Sequence, residues 1–182
     1  QIGYTFVDGN ACTDTAYQNL VVNSLPIVSF SILDTICYSG AGVTLTNGSP
    51  SGGTYSGAGV SGNVFSPNIA GSGNHVITYS YFDVNGCSAQ AEDSIHVRPQ
   101  PIVSLPLVND VCEDLDVFQI PTPSPLGGVF SSTGVLIGSD TFDVTNSGVG
   151  SFLIIYTYTD NNGCVKIENE QFSVNPLPVV SF

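Results

Sequence analysis

The residues best placed to do chemistry are five cysteines, an acidic cluster, and a short tip opening on Asp that occurs three times. Cys12, Cys87 and Cys164 each close a short turn-like run, Asp8-Gly9-Asn10-Ala11, Asp83-Val84-Asn85-Gly86 and Asp160-Asn161-Asn162-Gly163, whereas Cys37 and Cys112 stand apart from any such run. Thiols can pair as disulfides or hold metal, but no two cysteines here have the close spacing of a zinc site. Asp83 and Asn85 are hard oxygen donors of the kind calcium takes, yet no twelve-residue ligand pattern follows them. Asp and Asn ahead of Gly are also what a tight hairpin needs, and that reading is preferred. Asp110, Glu113, Asp114 and Asp116 form the best local candidate for a calcium ion. A solvated acidic loop is the preferred reading, because the matching stretch of the chain lacks these acids.

Other chemistry finds little support. His75 and His96 have no spaced Cys or acidic partner, and no set of residues assembles the roles of a nucleophile, base and oxyanion donor, so an enzyme is not expected. Tyr79/Tyr81 and Tyr156/Tyr158 could stack on sugars if exposed. They are expected in a core, because Ile77 and Ile154 continue the same face while Thr78, Ser80 and Thr157 take the other. Tyr38, Tyr55 and Phe130 are the remaining candidates for stacking on a carbohydrate.

The elements that must position these residues come from a repeat. Gln1–Phe30, Val76–Leu105 and Leu153–Phe182 align without a gap. Ile2, Ile77 and Ile154 correspond, as do Tyr4, Tyr79 and Tyr156, then Asp8, Asp83 and Asp160, then the three late cysteines, then Pro26, Pro101 and Pro178. Between these copies, Gly52-Gly53-Thr54-Tyr55-Ser56 matches Gly127-Gly128-Val129-Phe130-Ser131 once Cys37 and Cys112 are superposed. A period near 75 residues is longer than a solenoid unit and fits a small domain with its own core.

Period-two alternation places strands at Ile27 to Ile32, Gly42 to Asn47, Gly53 to Ser56, Val64 to Ser66, His75 to Phe82 and Ser88 to Val97. The next copy repeats them at Val117 to Ile120, Gly128 to Ser131, Thr141 to Val144, Phe152 to Thr159 and Val165 to Val174. Gly/Ser/Asn/Pro-rich runs separate them, and no stretch has helical periodicity or caps. The expected fold is therefore all-β: tandem immunoglobulin-like antiparallel β-sandwich repeats of about 75 residues. Residues 1–24 read as the C-terminal part of one repeat, 25–99 and 100–175 as two whole repeats, and 176–182 as the first strand of another. One early and one late cysteine per repeat favours a bridge inside each, Cys37 to Cys87 and Cys112 to Cys164, with the partner of Cys12 outside the chain. A small domain gains most from such a staple. The rival pairing, Cys12 to Cys37 and Cys87 to Cys112, would instead tie neighbouring repeats together.

Composition narrows the class further. Of 182 residues 42% are hydrophobic, enough for packed cores, while 15 acidic residues against only Arg98 and Lys166 give a net charge of -13. That balance argues against nucleic acid, whose phosphates need Lys and Arg, and against acidic lipid. No apolar run is long enough to span a membrane, and a first residue of Gln rather than Met reads as an internal piece of something longer.

The pattern Cys…Gly-Gly-Thr-Tyr-Ser-Gly…Gly-Val…Phe…Tyr-x-Tyr-x-Asp-x-Asn-Gly-Cys…Pro-x-Pro-x-Val-Ser, carried by Cys37, Gly52, Gly53, Tyr55, Gly59, Tyr79, Tyr81, Asp83, Asn85, Gly86 and Cys87, resembles the Ig-like or PKD-like tandem repeats of giant Bacteroidetes surface adhesins, including the gliding-motility type. The resemblance implies export by type IX secretion, attachment at the outer surface, and a structural role in adhesion or gliding. The partners it implies are neighbouring repeats of the same chain, and beyond them extracellular polysaccharide or the motility machinery.

Overall fold

A computed structural model describes residues 1–181; Phe182, the last residue of the expected following strand, lies outside them. Strand makes up 47% of the structure and helix 4%, so the chain is mostly β. Alternating apolar residues around a turn that opens on Asp form a hairpin in each copy. In the first, β1 (Ile2–Val7) pairs antiparallel with β2 (Thr13–Gln18) as a two-stranded sheet.

The second copy follows as β3 (Thr35–Cys37), β4 (Val43–Thr44), β5 (Thr54–Ser56), β6 (Val60–Ser61), β7 (Val64–Phe65), one helical turn α1 (Pro67–Ala70), then the long β8 (Gly73–Phe82) and β9 (Ser88–Arg98). These form a four-stranded sheet in the order β3-β9-β8-β5 and a three-stranded sheet in the order β4-β7-β6. Leu45 and Phe65, beside and within the smaller sheet, pack on Ile77, Ile95 and Val97 of the larger one. The third copy has β10 (Val111–Cys112), β11 (Val117–Gln119), β12 (Val129–Ser132), β13 (Val135–Ile137), β14 (Thr141–Asp143), the turn α2 (Val144–Ser147), β15 (Gly150–Thr159) and β16 (Val165–Asn175). Its sheets run β10-β16-β15-β12 and β11-β14-β13, the same arrangement strand for strand.

A tyrosine explains the paired glycines. The Tyr79 hydroxyl donates to the Pro50 carbonyl and accepts from Gly53 N–H; Tyr156 does the same with Pro125 (2.7 Å) and Gly128 (2.7 Å). Both rings are about 1% exposed, so the hydroxyls must find partners inside the protein. Gly53 and Gly128 let the loop backbone lie on the ring, since a Cβ there would come within 2.5 Å and 2.4 Å of it. The preceding Gly52 and Gly127 turn the chain at φ 98° and 96°, a region open mainly to glycine.

Several expectations need correction. The sheets are not purely antiparallel: β3 runs parallel to β9, and β10 parallel to β16, at one edge of each larger sheet. These two strands, together with β6 and β13, are absent from the sequence-based expectation: each is two or three residues long and lies in a stretch with no period-two alternation around it. Ile27 to Ile32 forms no extended strand, only an isolated bridge from Ser29 to Ser49, repeated as Ser104 to Ser124. Residues 176–181 carry no strand either. Finally, a single helical turn opens after Ser66 and after Asp143. At the second the Asp143 carboxylate caps Asn146 N–H at 2.9 Å.

Candidate functional site at the junction of two repeats

The three aspartate tips have one geometry. Asp8 Oδ1 accepts from the N–H groups of Asn10 and Cys12, Asp83 Oδ1 from those of Asn85 and Cys87, and Asp160 Oδ1 from those of Asn162 and Cys164, all at 2.8–2.9 Å. The aspartate thus spends its carboxylate on the turn, which is the hairpin role inferred from its sequence. Each tip presents its cysteine at the start of the returning strand.

The early cysteines sit at the opposite end. Cys37 lies across from Arg98, at the last residue of β9, and Cys112 across from Asn175, at the last residue of β16. Cys87 immediately precedes β9 and Cys164 immediately precedes β16, so the whole strand of 11 residues separates the two cysteines of one repeat. At about 3.3 Å per residue that is roughly 35 Å, against the 7 Å or so that a disulfide can bridge between Cα atoms. The expected bridges Cys37 to Cys87 and Cys112 to Cys164 are therefore not those of the structure, and neither is the rival set.

The disulfide present joins Cys37 to Cys164, with Cα atoms 5.5 Å apart at a sequence separation of 127. It ties the exit end of the second repeat to the hairpin tip of the third. Two polar contacts accompany it: Ser39 Oγ donates to the Val165 carbonyl at 3.3 Å, and Arg98 Nη1 to the Asn162 carbonyl at 3.4 Å. Cys164 is fully buried in this junction, and a shallow hollow beside it is lined by Ser39, Gln100, Val165, Lys166 and Ile167. Cys12, Cys87 and Cys112 are free thiols, the first and last exposed.

The other candidates are not gathered into a site. The Asp110 carboxylate accepts from Ser173 N–H (2.7 Å) and the Glu113 carboxylate from Leu177 N–H (2.9 Å), while Asp116 contributes its carbonyl to Val144 N–H. Two of the four carboxylates thus tie down neighbouring backbone, and among the described residues no group of three or more His, Cys, Asp or Glu comes together as metal ligands. Tyr38, Tyr55 and Phe130 are half-buried, not the exposed platforms a sugar would need. Tyr55 packs on Phe30 and Tyr79, with centroids at 5.4 and 4.8 Å, and Phe130 on Tyr156 at 4.9 Å. His75 bonds the Gly71 carbonyl and His96 the Asn74 side chain; the only ion pair among the described residues joins Lys166 to Glu168.

Asp143 is the one buried acid among the described residues. Hydrogen bonds from the Asn146 side chain and backbone, with a lesser one from Thr145, hold its carboxyl below the usual aspartate range despite the opposing effect of burial.

Sequence reasoning missed the junction because Cys37 rides on a three-residue strand with no periodic signal. The ten-residue alternation from Ser88 to Val97 already carried a useful clue, since it sets the length of the domain and hence the distance between its two ends. No protein-family model matches this chain, and no curated protein is a detectable relative.

Proposed function

We propose that this chain is a structural stalk segment of a large secreted cell-surface adhesin, giving reach and resistance to tension in adhesion or gliding. In this reading residues 25–99 and 100–175 are immunoglobulin-like sandwiches of about 75 residues. Residues 1–24 are the C-terminal part of a preceding repeat, and 176–182 lead into a following one. The observation that carries it is the Cys37–Cys164 bridge, which links successive copies of one architecture head to tail. An array with a rigid covalent junction suits transmission of load, and a disulfide suits an oxidising compartment outside the cell. The acidic, nearly Lys/Arg-free surface keeps neighbouring repeats soluble. The resemblance to Bacteroidetes adhesin repeats adds type IX export and surface attachment to the reading.

Mechanically, the bridge creates a short covalent path. Tension entering near residue 25 crosses from Cys37 to Cys164 and leaves along β16, so residues 38–163, enclosed by the bridge, carry none of it. A cross-link closing a loop of this size also stabilises the fold by about 4–5 kcal/mol in the chain-entropy account.

Pulling single molecules by their ends tests the proposal. Reduced chains should release roughly 400–450 Å more contour length than oxidised ones, at about 3.3–3.6 Å per residue. Equal contour lengths in the two states would remove its basis. The alternative, carbohydrate-binding modules contacting extracellular polysaccharide, draws less support because Tyr55 and Phe130 are packed against neighbouring rings.

A further inference from the structure

We propose that the exit end of the third repeat, around Cys112, is a docking surface for the hairpin tip of a further repeat of the same kind, closed by a disulfide to that tip's cysteine. The tip bearing Cys87 is the reciprocal half, awaiting the early cysteine of a preceding repeat. This rests on the stalk reading and extends it from one junction to a rule: the early cysteine of each repeat bonds the late cysteine of the next.

The Cys37–Cys164 junction is heterologous, joining two different surfaces of equivalent domains, and such an interface leaves one unused surface at each end unless it closes into a ring. Cys112 occupies the place of Cys37 on an edge strand of the same parallel pairing, opposite the last residue of its long strand, and it is exposed and unpaired. Cys87 occupies the place of Cys164 after an identical aspartate turn, also unpaired. Within a repeat, the long strand holds these two thiols too far apart to pair with each other. The polar contacts are not carried over, since Asp114 stands where Ser39 is and Asn175 where Arg98 is. The disulfide is then the component common to both junctions. Each bridge forms from two thiols, whose two protons and two electrons pass to a disulfide oxidant such as oxidised glutathione, giving two reduced glutathiones.

The test extends the whole chain after Phe182 with a second copy of residues 106–175, which continues the repeat in register because Phe182 aligns with Leu105. The added copy carries Cys112→Ser, to leave one open partner, and Lys166→Arg as a mass tag. After refolding in a glutathione redox buffer, the disulfides are mapped by mass spectrometry. The expected map has Cys37 bonded to Cys164, and Cys112 bonded to the tagged tip cysteine in comparable yield. Changing the original Cys112 to Ser should leave the tagged cysteine as a free thiol without disturbing Cys37–Cys164. If Cys37–Cys164 forms while Cys112 stays reduced or pairs elsewhere, the rule fails and the stalk reading survives. If Cys37–Cys164 itself does not form, both fail.

Discussion

The second and third repeats share every strand but fill their cores differently. In the third, Phe118, Phe142, Phe152 and Phe172 form one cluster, with centroid separations of 4.9–5.9 Å and edge-on contacts of Phe172 with Phe118 and Phe142. The equivalent positions in the second are Val43, Phe65, His75 and Ile95, with only Phe65 and His75 in ring contact. The Tyr55–Tyr79 contact has its counterpart in Phe130–Tyr156, but the second repeat adds Phe30 to that pair, where the third has Leu105, and packs Tyr38 where the third has Glu113, whose carboxylate instead accepts from Leu177 N–H. The frame is therefore set by the features the repeats share, namely the aspartate turn, the buried tyrosine and the paired glycines. Core side chains can be exchanged as long as each core stays filled.

Changes in the ring cluster should separate the two repeats most. Phe142→Ala or Phe172→Ala should cost about 3–5 kcal/mol, as expected for a fully buried aromatic. Hydrogen exchange resolved by repeat should place the loss in residues 100–175. Loss spread evenly over both repeats would mean that the junction makes them one cooperative unit. Next in size, Tyr79→Phe and Tyr156→Phe should each cost roughly 1–3 kcal/mol by stranding a glycine N–H and a proline carbonyl. Near-equal values in chemical denaturation are expected, since the two hydroxyls make the same bonds, and a large inequality would break the claim of a shared frame.

A smaller difference lies at the helical turns. Asp143 caps its turn and Ser66, in the same place, does not. Asp143→Ala should lower the Tm of the third repeat, whereas Ser66→Ala should leave the second nearly unchanged. Because the folded carboxyl is held below its ordinary value, the stabilisation is present above about pH 4 and is lost as pH falls through the lower folded value. The Tm difference between wild type and Asp143→Ala should accordingly shrink in acid, and a constant difference would exclude this cause. Smallest of all, Ala11 stands at φ 63° where the other tips have Gly86 and Gly163 at 81° and 80°. Ala11→Gly should favour the first hairpin by about 1 kcal/mol, read as increased amide protection in β1 and β2.

The first hairpin also shows how far local sequence reaches. Ile2, Tyr4 and Phe6 alternate just as Ile77, Tyr79 and Tyr81 do, and the same turn closes both, so strand and register follow from neighbouring residues alone. Yet Ile2 and Tyr4 are 59% and 69% exposed, while Ile77 and Tyr79 are buried. Burial needs the second sheet, which residues 35–70 supply to β8 and β9.

By itself the sequence determined the repeat, the hairpins, the aspartate tips and the positions that would face a core, because these depend on period, turn chemistry and side-chain size over a few residues. Only the tertiary structure decided which cysteines meet. A repeated pattern of early and late thiols reads the same whether each pairs within its repeat, backward or forward. The 11-residue strand removes the first choice by holding the two thiols of one repeat at opposite ends, and the seating of the third repeat's tip on the exit end of the second, where Cys37 meets Cys164, decides between the other two.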